Sequence, residues 1–271
     1  MSDSQAGLIL RSWRSSWIAY LRVSRPAREG ASTRRPVLPR RIDAYLIFAT
    51  GCVLIALCMI YVDKSVIDLT RPYYVVHEGS VKYLKQITKL GSSGWIMIIS
   101  GAMALYFSAT RWQNYERRER LRLVNRHADT TFVFFATFLT GSTVWILKNL
   151  IGRARPRMMD EVGHLYFDFA AFQAALASFP SGHATTFGCV GMAMSLLFPK
   201  HRVLWLCFGA FGAATRVLVG AHYPSDSIAG FIFGAGLTLL AARYLAQRGT
   251  MFRFNGGFVP HRIRFPSNGK R

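Results

Sequence analysis

Residues 130–151 read TTFVFFATFLTGSTVWILKNLI, and residues 152–160 continue as GRARPRMMD. The first stretch carries a single charge, Lys148, close to its end. A helix of that length, rising about 1.5 Å per residue, crosses a hydrocarbon core of about 30 Å. Behind it stand Arg153, Arg155 and Arg157. An apolar span that delivers a lysine and an arginine cluster to one membrane face sets the fold class, because the apolar half of this pattern recurs along the chain.

Five further apolar runs lie near 44–62, 93–110, 184–199, 203–219 and 227–246. The runs at 184–199 and 203–219 are short, so a soluble helical bundle is the competing reading. Against it, 44–62 is apolar all round and offers water no polar face. Gly230 with Gly234, and Gly209 with Ala213, sit at the spacing that lets helices approach closely in lipid. The expected fold is all-α, a six-transmembrane helix bundle over 44–246. A basic N-terminal segment, 1–43, and a basic tail, 247–271, flank it.

The chain has 271 residues, with 34 Lys and Arg against 13 Asp and Glu, a formal charge of +21, and 51% hydrophobic content. That much apolar material excludes a disordered polycation. The charge must therefore be segregated. Cys52, Cys58, Cys189 and Cys207 all fall inside apolar runs, which speaks against a disulfide framework or a zinc site. With both termini on one face, that face receives nine basic residues from 1–43, six from 111–126, Lys200 with Arg202, and seven from Arg243 onward. The positive-inside rule makes it the cytoplasmic face, and the basic stretch 111–126 reads as a headgroup-contacting loop rather than a nucleic-acid site. Within 1–43, Leu10, Trp13, Trp17, Tyr20 and Leu21 recur at helical spacing, as in an interfacial helix before a proline-punctuated linker. An organelle transit peptide is the alternative for this arginine-rich segment.

Ten basic residues remain for the opposite face, which holds the loop between the first two spans, the loop from Gly152 to Phe179, and the turn from Gly220 to Ser225. Three polar sets meet there. Lys148, Arg155 and Pro156 form the first, with Arg153 and Arg157 beside them. Taken alone, Lys148 is a snorkelling lysine; with the arginines it suits an anionic ligand, since a guanidinium engages two phosphate oxygens in a planar fork. Pro180-Ser181-Gly182-His183 is the second. It is an ordinary helix cap or an anion site, where free N–H groups face the ligand and Gly182 allows close approach. The third is Thr215-Arg216 followed by Gly220, His222 and Asp226 (TRVLVGAHYPSD). Asp226 either caps the last span or holds one ring nitrogen of His222 and frees the other to react.

Lys-(six residues)-Arg-Pro, Pro-Ser-Gly-His and Arg-(five residues)-His-(three residues)-Asp, in this order on six spans, resemble the signature motifs of the phosphatidic acid phosphatase type 2 superfamily. One position departs, Thr215 standing where the family usually has Ser. Within the family, the GRARP and GAHYPSD wording resembles bacterial lipid A and undecaprenyl diphosphate phosphatases more than eukaryotic enzymes. The resemblance implies a lipid phosphatase with an extracytoplasmic site. It assigns His222 as nucleophile, His183 as acid and base, and Asp226 as the group orienting His222. Lys148, Arg155, Ser181, Gly182 and Arg216 would hold the phosphate. It also implies a bacterial inner-membrane location, with both termini cytoplasmic.

In-line phosphoryl transfer needs positioning and stabilised negative charge, which three cations and helix N-terminal amides supply. No cofactor or metal is expected. A His183/His222/Asp226 metal site is the alternative, disfavoured by the scarcity of carboxylates on that face. The expected partners are a lipid-phosphate substrate and the membrane, not nucleic acid. Rival functions are a phosphotransferase of the same family, a vanadium haloperoxidase, and a non-catalytic membrane interaction protein. The aromatic loop 164–179 (HLYFDFAAFQAALASF) reads either as an interfacial segment touching acyl chains or as plain packing.

Overall fold

The first apolar run folds as α1, Arg41–Leu57, passes through one π-turn at Cys58–Val62 and continues as α2, Asp63–Val76. In this computed structural model residues 41–76, 78–110 and 114–264 are described; the interfacial helix and linker expected within 1–40 lie outside them. Then follow α3 (Glu78–Lys89), α4 (Ser93–Ala109), α5 (Arg117–Ile151), α6 (Gly182–Leu197), α7 (Arg202–Leu218) and α8 (Pro224–Gln247). Each of the six apolar runs falls on one helical stretch.

Among the described residues four stretches are long and apolar enough to cross a membrane: Tyr45–Pro72, Lys82–Ala109, Arg117–Ile151 and Pro224–Gln247. At 16 and 17 residues, α6 and α7 are shorter. Phe48 and Ile98 are each 72% exposed, in company with Tyr45, Leu54 and Tyr106. An apolar surface of this extent belongs in lipid rather than water.

Two basic or mixed segments differ from their expected form. The loop expected between the first two spans is mostly helical, as α2 and α3. In α3, Thr88 is buried and Leu84, four residues before it, is half-buried, while Lys82, Tyr83, Lys85, Gln86, Ile87 and Lys89 are exposed. Similarly, α5 begins at Arg117, inside the expected basic loop, because RRERLRLV is made of good helix formers.

The internal contacts fall into two compact units. One comprises Leu38–Gly94 and Ala136–Leu239, and here α6 is the central helix. A Cβ on Gly188 would strike the carbonyl of Phe231, and one on Gly234 that of Thr185, so α6 and α8 meet backbone to backbone. Gly209 of α7 stands likewise against the Phe187 carbonyl, 2.7 Å from where its Cβ would be. The other unit includes Trp95–Phe135 and Leu240–Arg271. Part of the basic tail is ordered there by a two-stranded antiparallel pair, β1 (Phe252–Arg253) and β2 (His261–Arg262). Arg262 Nε donates to Asp129 at 2.7 Å, Phe252 packs edge-on against Phe132, and Arg243 stacks on Phe258.

Candidate active site

Helix α5 ends where Gly152 takes φ +65°, its N–H still donating to the Lys148 carbonyl at 3.1 Å. Any side chain here would run into the Asp168 carbonyl. The extended residues that follow are bound on both edges. Asp168 N–H donates to Gly152 (2.9 Å) and Ala154 N–H to Tyr166 (3.0 Å); Arg155 N–H donates to Ala175 and Ser178 N–H to Arg153, both at 3.0 Å. Main chain also joins the other two motifs, Ser181 N–H donating to the Asp226 carbonyl at 3.0 Å. Beyond α7, Gly220 turns with φ +66°, and the N–H groups of Ala221 and His222 return to the Arg216 carbonyl at 3.1 and 3.3 Å.

His222 is 3% exposed. Its Nδ1 lies 2.9 Å from the Ser178 carbonyl and 3.7 Å from Asp226 Oδ2. A carbonyl only accepts, so this contact places the ring hydrogen on Nδ1 and leaves the Nε2 lone pair free. Burial pulls the imidazole below its ordinary 6.5, and Asp226 opposes this only in part. Asp226 itself is fully enclosed. Its Oδ2 accepts from Ser178 Oγ (2.6 Å) and Tyr223 N–H (3.1 Å), and its Oδ1 from Arg153 Nη1 (2.6 Å).

Arg153, expected beside the phosphate, is instead fully buried and shared between Asp226 and Asp63. Arg155 takes no part in these ion pairs. It is half-buried, its Nε has no hydrogen-bond partner, and burial together with neighbouring Arg157 presses the guanidinium below its ordinary value. Arg216, 8% exposed, donates from Nη1 to Thr88 Oγ1 at 2.8 Å and keeps Nε unpartnered. Lys148 in the last turn of α5 and His183 in the first turn of α6 complete the group; Lys148, Arg155, Arg216 and His222 all act electrostatically on His183. A Cβ on Gly182 would project into open space, as an approach by a ligand oxygen requires.

Two hydroxyls point elsewhere. Ser181 caps α6 by accepting from Ala184 N–H at 3.4 Å, and Thr215 donates to the Gly212 carbonyl at 2.6 Å. Ser178, Asp63, Thr88 and Ser225 were not singled out by the motifs. Their partners within the site lie 44 or more residues away in sequence, where no local spacing signals them. Among the described residues, no group of three or more His, Cys, Asp or Glu side chains is placed to hold a metal ion.

Gathered cations, a neutral imidazole with a free Nε2, and a fixed carboxylate form an arrangement for moving a phosphoryl group. Comparison with known proteins agrees. The PAP2 superfamily pattern matches residues 129–250, which contain all three motifs. A lipid A 1-phosphatase of Rhizobium johnstonii is 34% identical over 219 residues, 79% of this chain and 85% of that protein. One from Rhizobium etli is 35% identical over 217 residues, covering 79% and 90%. The crystal structure of a transmembrane PAP2-type phosphatidylglycerolphosphate phosphatase from Bacillus subtilis has a TM-score of 0.51 at 18% identity, covering 75% of this chain and 96% of that one. At such identity the likeness speaks for the fold alone. The resemblance carried by the three motifs is therefore a membership: this membrane protein belongs to the PAP2 superfamily and is a phosphatase.

Proposed function

We propose that the protein is a lipid phosphatase of the bacterial inner membrane that removes the 1-phosphate from lipid A or a close glycolipid relative through a phosphohistidine. The observation that carries the reading is the meeting of Lys148, Arg155, His183, Arg216 and His222 at one site, in a chain 34–35% identical to two lipid A 1-phosphatases. Lys148, Arg155, Arg216 and the Gly182 N–H hold the phosphate oxygens; Ser181 fixes the helix that presents that N–H. The Nε2 lone pair of His222 attacks phosphorus while the bond to the lipid oxygen breaks. His183 gives its proton to that oxygen. Water then enters, His183 takes its proton, and attack on the phosphohistidine releases inorganic phosphate and restores His222. Asp226 balances the positive charge that the ring gains when phosphorylated. The chemistry calls for no metal.

In this reading α1 with α2 and α4 to α8 make six spans, with both termini in the cytoplasm and the site at the periplasmic leaflet. The charge count supports this orientation. The test is phosphate release by purified protein from lipid A, undecaprenyl diphosphate, phosphatidylglycerophosphate and phosphatidate, each with and without EDTA. Lipid A is expected to be the best substrate, with EDTA harmless. Preference for another lipid would replace the substrate assignment, and rescue by a divalent ion after EDTA would replace the metal-free mechanism. Omission and addition of an acceptor lipid separates hydrolysis from transfer, and release without acceptor is the expected result.

A further inference from the structure

Asp63 belongs to the first span, far in sequence from every motif. It follows the π-turn directly, its own N–H donating to the Cys58 carbonyl five residues back. Single π-turns rotate a helix face, and they recur at functional positions. Here the side chain turned inward is a carboxylate with 0% exposure, within a stretch of membrane-crossing length. A buried charge is costly unless partnered, and an ionisable side chain in a membrane-crossing stretch points to function.

Its partners lead to the proposed nucleophile by two routes. Through side chains, Asp63 Oδ2 accepts from Arg153 Nη2 at 2.8 Å, and Arg153 Nη1 donates to Asp226 Oδ1 at 2.6 Å. The His164 carbonyl (3.0 Å to Nη2) and the Tyr223 ring (4.3 Å from the guanidinium carbon) fix the arginine between them. Through main chain, Asp63 Oδ1 accepts from Ser225 N–H at 2.9 Å, the residue before Asp226 in the first turn of α8. Ser225 Oγ closes the circuit, donating to Asp63 and accepting from Arg153 Nη1. A purely structural ion pair needs one carboxylate. Two carboxylates around one guanidinium leave a net negative charge beside the imidazole that must become cationic.

We infer that Asp63 is a positioning residue for phosphoryl transfer, acting through Arg153 and Ser225 to hold Asp226 against His222; this rests on the His222 phosphohistidine reading above. Asp63 touches none of the phosphate-holding groups. Its effect therefore falls on the chemical step and not on phosphate binding.

The test uses the full chain in detergent. Asp63→Asn keeps the volume and removes the charge. Expected are a fall in kcat of about 100-fold, as for misplaced catalytic geometry, with KM and competition by inorganic phosphate unchanged. The double variant Asp63→Asn/Asp226→Asn is expected to be no slower than Asp226→Asn alone, since both changes break one chain of contacts. Full kcat in Asp63→Asn, or losses that multiply in the double variant, overturns the inference. Where Asp63→Asn shows no cooperative melting, Ser225→Ala takes its place, with kcat down about tenfold at unchanged KM; full kcat there overturns it equally. His222→Ala separates the two levels. Activity surviving in His222→Ala defeats the phosphohistidine reading itself, whereas an inactive His222→Ala beside a fully active Asp63→Asn defeats only the role of Asp63.

Discussion

At His222 a backbone carbonyl sets the tautomer. The Ser178 carbonyl at 2.9 Å, closer than either oxygen of Asp226, selects the tautomer whose Nε2 is free. Burial then keeps that imidazole neutral to lower pH than an exposed histidine. The sign for activity follows. Attack needs the neutral ring, and a lowered pKa keeps it neutral as acid is added. The acidic limb of kcat/KM assigned to His222 is therefore expected below pH 6.5. Asp226 opposes the lowering, so Asp226→Asn should move this limb further to acid while lowering the maximum rate. A pH–rate series on both proteins checks it, and a limb moving toward neutrality in the variant would contradict the role given to Asp226. Motif spacing made Lys148, Arg155, His183, Arg216, His222 and Asp226 legible in the sequence, because each motif is local. Asp63 and Thr88 were not legible, since their contacts span 90 and 128 residues and only the fold joins them. Arg153 was legible as a basic residue, but its burial between two carboxylates was not.

Among the elements, the loop after α5 ties position to environment. Residues from Gly152 to Arg155 are laced to the loop on both sides, and within it Ala170 and Phe172 take positive φ, 59° and 51°. That backbone turns Phe169 and Phe172 outward, 74% and 63% exposed, while Leu176 and Ala177 are buried. Packing thus accounts for the buried half of the aromatic loop, and the interfacial reading concerns the exposed half. If the exposed half meets acyl chains, replacing Phe169 and Phe172 by Ser should raise KM for a long-chain lipid phosphate in vesicles several-fold. A water-soluble phosphate ester should be turned over as before. Equal losses on both substrates would make the loop a packing element only. The apolar runs were readable because hydrophobic length is a strong signal. Helix α3 was not, since a half-polar segment docked by residues such as Thr88 resembles a loop until its partner, Arg216, is known.

Over the whole molecule, the +21 charge has two uses. Most of the basic residues lie where the positive-inside rule puts cytoplasmic loops and tails, and some of these are tied down, as Arg262 is to Asp129. The minority assigned to the other face includes the proposed phosphate-holding set and the buried Arg153. The proposed orientation is testable with single cysteines in a background lacking the four native ones. A membrane-impermeant thiol reagent applied from the periplasmic side should label exposed Arg157→Cys and spare exposed Arg120→Cys; the reverse pattern would invert the topology. Orientation decides which leaflet supplies the substrate; the proposed reaction itself is covalent, at one ring nitrogen. The most direct measurement is to quench the purified enzyme during turnover of a lipid labelled in its phosphate and to map the labelled residue. An acid-labile, base-stable phosphoryl group on His222 is the expected result, absent from His222→Ala, which also releases no phosphate. Label elsewhere, or phosphate release by His222→Ala at the unaltered rate, would contradict it.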